Sequence, residues 1–152
     1  MKKGEMLSTM IMLATEGHFG QFDRGGNPYI LHPLKVMHYL KSTDEELQCI
    51  AVGHDLIEDT AMTYATLRER GISERVITGI KALTKERGES YDEYREKVKA
   101  NIDAVQVKMC DLRHNSDIRR LKSNEITEKD IARIVKYQKF FLELKEILEK
   151  SQ

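Results

Sequence analysis

Residues 44–60 read DEELQCIAVGHDLIEDT, and the reading of this stretch decides the fold. Leu47, Ile50, Ala51, His54 and Glu58 recur at helical spacing, so the pattern predicts one helix over 44–58 with those five residues on one face. Ser42, Thr43 or Asp44 supplies a side-chain oxygen to cap its start. The face is otherwise apolar, yet it carries an imidazole and a carboxylate. Burying such groups is costly unless they are paired or bound to a metal.

The same periodicity extends in both directions. Leu7, Met10, Ile11 and Ala14 mark a first helix over 5–20, followed by the polar, glycine-rich loop GQFDRGGNP over 20–28. Proline is favoured at the first helical position, so His32-Pro33 opens the next helix with His32 at or near the N-cap. Further helices are expected over 63–70, 73–83, 90–99 and 127–150. The last has Ile131, Ile134, Val135, Phe141, Leu144 and Leu148 as its apolar side. Residues 102–118 fit two patterns. Val105, Val107 and Met109 alternate as in a strand, while Ala104, Val107, Asp111 and Ile118 follow a helical stripe. Helix is preferred because no other segment offers a strand partner. The expectation is an all-α fold forming a single domain over 1–152.

Bulk properties narrow the function. A chain of 152 residues buries enough surface to fold without staples. The formal net charge is zero, so no global basic field recruits nucleic acid, and phosphate binding must come from a local cluster. No stretch approaches the roughly 20 apolar residues of a membrane span. Cys49 and Cys110 lie far apart without CxxC spacing and read as reduced core thiols, which suits the cytoplasm.

His32, the adjacent pair His54-Asp55, and Asp111 are the right chemistry for one divalent cation. Asp111 repeats the pattern of a charged group on an apolar face. Glu58 and Asp59 follow the pair directly, and Asp55 and Asp59 stand one turn apart. A metal site beside two spare carboxylates reads as a hydrolytic centre, in which the cation activates water and the carboxylates move protons. Among the basic residues, Lys108 and Arg113 are the leading candidates for phosphate contacts, being close in sequence to Asp111. His18 is a candidate support for the site.

At these residues the chain resembles the HD superfamily of metal-dependent phosphohydrolases, and most closely its alarmone hydrolase branch, which removes pyrophosphate from the 3′ position of ppGpp. Three blocks carry the resemblance: His18-Phe19-Gly20-Gln21 with the run from Gly26 to Pro33 (GNPYILHP), then HDLIEDT over 54–60, then VKMCDLRHN over 107–115. The likeness extends over about residues 8–140. It implies an all-helical HD domain with one Mn²⁺ held by His32, His54, Asp55 and Asp111. It implies that Glu58 and Asp59 are the catalytic carboxylates, and that Asn115 and Tyr137 line a nucleotide site.

The branch usually has a basic pair after HxGQ, where this chain has Asp23 and Arg24. An acid therefore replaces one of two cations that would meet the guanine or a phosphate, leaving Arg24 as the loop's substrate contact. An arginine at position 23 is expected to tighten binding. The departure keeps hydrolysis of another nucleotide, such as NADPH or a nucleoside phosphate, as an alternative. A non-catalytic alarmone-binding module is a third reading, disfavoured by the intact Glu58-Asp59 pair. The exposed faces of the terminal helices are candidates for a homodimer contact.

Overall fold

In the computed structural model, which describes residues 1–121 and 126–152, nine α-helices follow one another. They are α1 (Glu5–Gly17), α2 (Leu31–Leu40), α3 (Glu45–Gly53), α4 (Leu56–Asp59), α5 (Tyr64–Glu69), α6 (Glu74–Leu83), α7 (Tyr91–Lys99), α8 (Ile102–Asn115) and α9 (Glu128–Lys150), with a 3-10 turn at Ile118–Arg120. Among the described residues the only β pairing is an isolated bridge between Phe22 and Pro28. Polar side chains start most of the helices. Asp44 accepts from the Glu46 and Leu47 amides, Ser73 from Val76, Ser90 from Glu93 and Asn101 from Ala104, while Thr127 and Asp130 form a reciprocal capping box.

The middle of the molecule is built on α3 and α8. Six of the nine residues of α3 are buried, and α8 packs against α2, α3, α6, α7 and α9. Met10, Ile50, Val76, Ile77, Ile80, Leu112, Phe140 and Leu144 are among the fully buried side chains of one hydrophobic cluster. Gly79 allows α6 to approach α3, since a Cβ there would lie 2.5 Å from Ile50 Cδ1. Among the described residues no helix is long and apolar enough to cross a membrane.

The structure departs from the sequence expectations at several places. The helix expected over 44–58 is two helices, because α3 stops at Gly53 and α4 starts at Leu56. Glu58 therefore does not share a buried face with His54; it is exposed. His32 is near the N-cap, as expected, but the cap itself is Ile30, and Pro33 is the third helical residue and not the first, still within the turn where a missing N–H costs nothing. Residues 102–115 are helical as preferred, but the helix ends at Asn115 and Ile118 is half exposed. On α9 only Phe140 and Leu144 are buried, whereas Ile131 and Val135 face outward.

Candidate metal centre and adjoining cleft

The break between α3 and α4 creates the centre. In a continuous helix neighbouring side chains point about 100° apart, but here His54 caps α3 and Asp55 opens α4. The two side chains converge, with His54 Nε2 3.0 Å from Asp55 Oδ2. From α2, His32 Nε2 lies 3.7 Å from the same oxygen. From α8, Asp111 Oδ1 lies 2.8 Å from His32 Nε2 and 3.3 Å from His54 Nε2. Neighbouring ligands on an octahedral cation with bonds of about 2.1 Å are about 3 Å apart, so these separations suit one ion.

Protonation gives a second test of the fit. His54 Nδ1 donates to the Ala51 carbonyl at 2.7 Å, which leaves Nε2 as the nitrogen that meets the carboxylates or a cation. That buried Nε2 has no hydrogen-bond partner among the described residues, and it faces two carboxylates. Burial alone would lower the His54 pKa, but Asp55 and Asp111 overcome it and hold it well above the ordinary histidine value. Burial also works against charge on Asp55 and Asp111. His54 nonetheless draws Asp55 down to about 2, and Lys108 with His54 draws Asp111 well below the carboxylate range. Such a cluster demands positive charge at its middle, and its donor set fits a divalent cation.

Each ligand also has a hydrogen-bond partner outside the cluster. Lys108 Nζ donates to Asp111 Oδ2 at 2.8 Å, and Asn115 Nδ2 donates to Asp111 Oδ1 at 2.9 Å. The Tyr29 hydroxyl donates to Asp55 Oδ2. His32 Nδ1 meets His114 Nδ1 at 2.7 Å, with the two rings stacked. Burial, with the Arg120 charge, pushes His114 down to about 4, so it stands neutral.

Glu58 and Asp59 stand at the exposed edge, with carboxylate oxygens within 4.8 Å of one another and of Asp55. Glu58 Oε1 accepts from the Lys85 amide at 2.7 Å, which ties the loop after α6 to the site. Partial burial and then the charges of Asp55 and Glu58 push Asp59 up to about 6. His18 is buried behind the centre, bonded to Gln21, whose amide donates to the Asp59 carbonyl.

Beside the centre opens a cleft of about 310 Å³, lined by Phe22, Asp23, Arg24, Gly25, Tyr29, Asn115, Asp117, Ile118, Arg120, Leu121, Arg133, Ile134 and Tyr137. Arg24, Asn115 and Tyr137 thus share one space. Lys108 and Arg113 do not line it. Lys108 is committed to Asp111, and Arg113 lies outside, 3.9 Å above the Tyr39 ring centroid. Asp23 is part of a line of contacts leading inward. Its Oδ2 accepts from Arg120 Nη2 at 3.3 Å, Arg120 Nη1 donates to Asn115 Oδ1 at 2.9 Å, and Asn115 reaches Asp111. An arginine at 23 would oppose Arg120 instead of pairing with it.

Comparison with known proteins agrees with this architecture. No family model matches the chain. A guanosine-3′,5′-bis(diphosphate) 3′-pyrophosphohydrolase of Haemophilus influenzae is 34% identical over 116 residues, covering 68% of this chain and 17% of the relative. The chain is homologous to part of these pyrophosphohydrolases. The bifunctional (p)ppGpp synthase/hydrolase SpoT of Escherichia coli is 29% identical over 117 residues, and a putative chloroplastic GTP diphosphokinase of Arabidopsis thaliana is 30% identical over 134 residues. The chain spans about one sixth of the length of these relatives. A solved structure described as a metazoan ortholog of SpoT that hydrolyses ppGpp superposes with a TM-score of 0.69, covering 99% of this chain and 97% of that one. At 18% identity this likeness establishes the all-helical fold.

The sequence did not single out Tyr29 or His114 as members of the site. Tyr29 and His114 lie inside the GNPYILHP and VKMCDLRHN blocks, which was a usable signal. Arg120 lies beyond the last block, and its pairing with Asp23 and Asn115 is not visible in its spacing.

Proposed function

We propose that the chain is a metal-dependent phosphohydrolase that removes the 3′-pyrophosphate of guanosine alarmones, giving GDP or GTP and pyrophosphate. One observation carries the reading: His32, His54, Asp55 and Asp111 converge beside Glu58 and Asp59 in a chain homologous to part of the pyrophosphohydrolases. The ion is assigned as Mn²⁺, one per chain, because carboxylates beside imidazoles favour a harder cation than thiolate sites do. When bound, it lowers the pKa of a coordinated water and polarises a phosphoryl oxygen. Asp59, poised near 6 and accessible, exchanges a proton with the reacting group, and Glu58, fixed by the Lys85 amide, is the second proton-transfer carboxylate. Arg24, Asn115 and Tyr137 take the nucleotide in the cleft, while Lys108 serves through Asp111. Two free cysteines accord with a cytoplasmic setting, and the exposed Ile131, Val135 and Leu142 of α9 offer a contact for a homodimer.

A second reading, hydrolysis of another nucleotide such as NADPH or a nucleoside phosphate, draws on Asp23, which spends its charge on Arg120 at the cleft wall. The test is product analysis by ion-exchange chromatography with Mn²⁺ over ppGpp, NADPH, nucleoside monophosphates and triphosphates. Release of intact pyrophosphate from ppGpp is expected. Turnover of another nucleotide with none of ppGpp moves the assignment to that nucleotide, and turnover of none removes the enzymatic reading.

A further inference from the structure

A histidine that ligates a cation through one ring nitrogen carries its one ring proton on the other, so for His32 the position of that proton decides whether Nε2 can bind. Nε2 faces Asp111 Oδ1 and Asp55 Oδ2, where a ligand must present a lone pair. The proton then belongs on Nδ1, which requires an acceptor there. Nδ1 meets one polar atom among the described residues, His114 Nδ1 at 2.7 Å. Two ring nitrogens at that distance share a single proton, so if His32 donates, His114 must carry its own proton on Nε2.

We propose that His114 is a positioning residue for the metal centre: it accepts the Nδ1–H of His32 and fixes the tautomer that turns the His32 Nε2 lone pair toward the cation. The other ligands have supports of the same kind, at Ala51 for His54, Tyr29 for Asp55, and Lys108 with Asn115 for Asp111. Three of those supports are donors suited to carboxylates, and one is a backbone carbonyl. His114 is the case in which a side chain must itself adopt one tautomer. The surrounding packing holds it in place. Its ring lies 5.0 Å from that of His32 at 12°, and Tyr39 meets it edge-on at 5.9 Å and 73°. The proposal rests on the metal-binding part of the function proposed above and not on the substrate.

The test measures metal affinity without substrate. Mn²⁺ and Zn²⁺ affinities are determined by competition with a chelating dye for the wild type, His114→Phe and His114→Asn. Phenylalanine keeps a ring against His32 and removes the acceptor, while asparagine places an oxygen near the position of Nδ1. His114→Phe is expected to lose roughly tenfold to a hundredfold in affinity, the range for removal of an outer-shell partner. His114→Asn is expected to recover most of it. Wild-type affinity in His114→Phe, or equal loss in both variants, overturns the proposal. In the Zn²⁺-loaded wild type, ¹⁵N spectra of the rings should show His114 protonated on Nε2 and His32 on Nδ1. The opposite tautomers overturn it even if neither variant folds. Failure of ppGpp hydrolysis leaves all of these readings in place, so the two hypotheses fail separately.

Discussion

The metal centre and the adjoining cleft are held by opposite means. At the centre each ligand is buried or half-buried and is hydrogen-bonded to a second group, such as the Tyr29 hydroxyl on Asp55 or Lys108 on the far oxygen of Asp111. In the cleft the cations lean on acids: Arg120 on Asp23 and Arg133 on Asp130. Arg24 is exposed and has no ion pair among the described residues. The centre is preorganised around missing positive charge, whereas the cleft has largely neutralised its own. Metal affinity and nucleotide selectivity should therefore respond to different substitutions, with Tyr29 and Asn115 common to both.

The largest effect is expected at the ligands. Asp55→Ala or His54→Ala should reduce bound metal from about one ion per chain to near zero by elemental analysis and abolish turnover. It should also remove the stabilisation that metal gives the wild type, about 2.7 kcal/mol at a hundredfold excess over Kd. A variant that keeps its ion and its thermal shift on metal addition would show that the cluster is not the binding site.

Next come the edge carboxylates. Glu58→Gln and Asp59→Asn should bind metal normally and lose about 10²–10⁴-fold in kcat. If either loses the ion instead, the division between ligands and proton-transfer groups falls.

A smaller effect is expected in the cleft. Asp23→Arg should raise KM about tenfold with kcat little changed, the signature of weakened uniform binding. Asp23→Arg combined with Arg120→Asp should recover part of the loss. A drop in kcat with KM unchanged would mean that the Asp23–Arg120–Asn115 line supports Asp111 more than it shapes the cleft.

The smallest effect concerns pH. In the metal-free protein Asp59 should titrate near 6, followed by its side-chain ¹³C shift, and an added cation should lower that value by favouring the carboxylate. The folded state then binds more protons than the unfolded chain between pH 4 and 6. Stability of the metal-free protein from this group should accordingly fall as pH rises through that window. Asp59→Asn should flatten that slope, and an unchanged slope would locate the shift elsewhere.

Much of this was readable before any coordinates. The helical repeats around Ile50 and Ala104 gave the fold class, because an all-α core imposes one period on nearly every segment. His54-Asp55 and Asp111 stood out as charges on apolar faces, and burial makes such charges conspicuous. The helix break after Gly53 was not readable, since His54 and Glu58 continue the period across it. Lys108 looked like a phosphate contact, because its sequence position does not reveal that its ammonium group turns inward to Asp111. The pairing of Asp23 with Arg120 joins residues 97 positions apart, a distance over which local pattern carries no information.

The interruption at His54 has a bearing on protein engineering. A graft of this centre onto a straight helical bundle, with both ligands kept adjacent, would aim them at different neighbours. Separating them by one turn would restore a common target, but both would then rise from a single rod whose flexing moves them together. In the present arrangement α3 and α4 are separate levers meeting at the ion, and α3 is clamped where a Cβ on Gly53 would strike Met10 and Ile80 at 2.9 Å. A transplant must therefore carry the α3–α4 junction and Gly53 along with the four ligands.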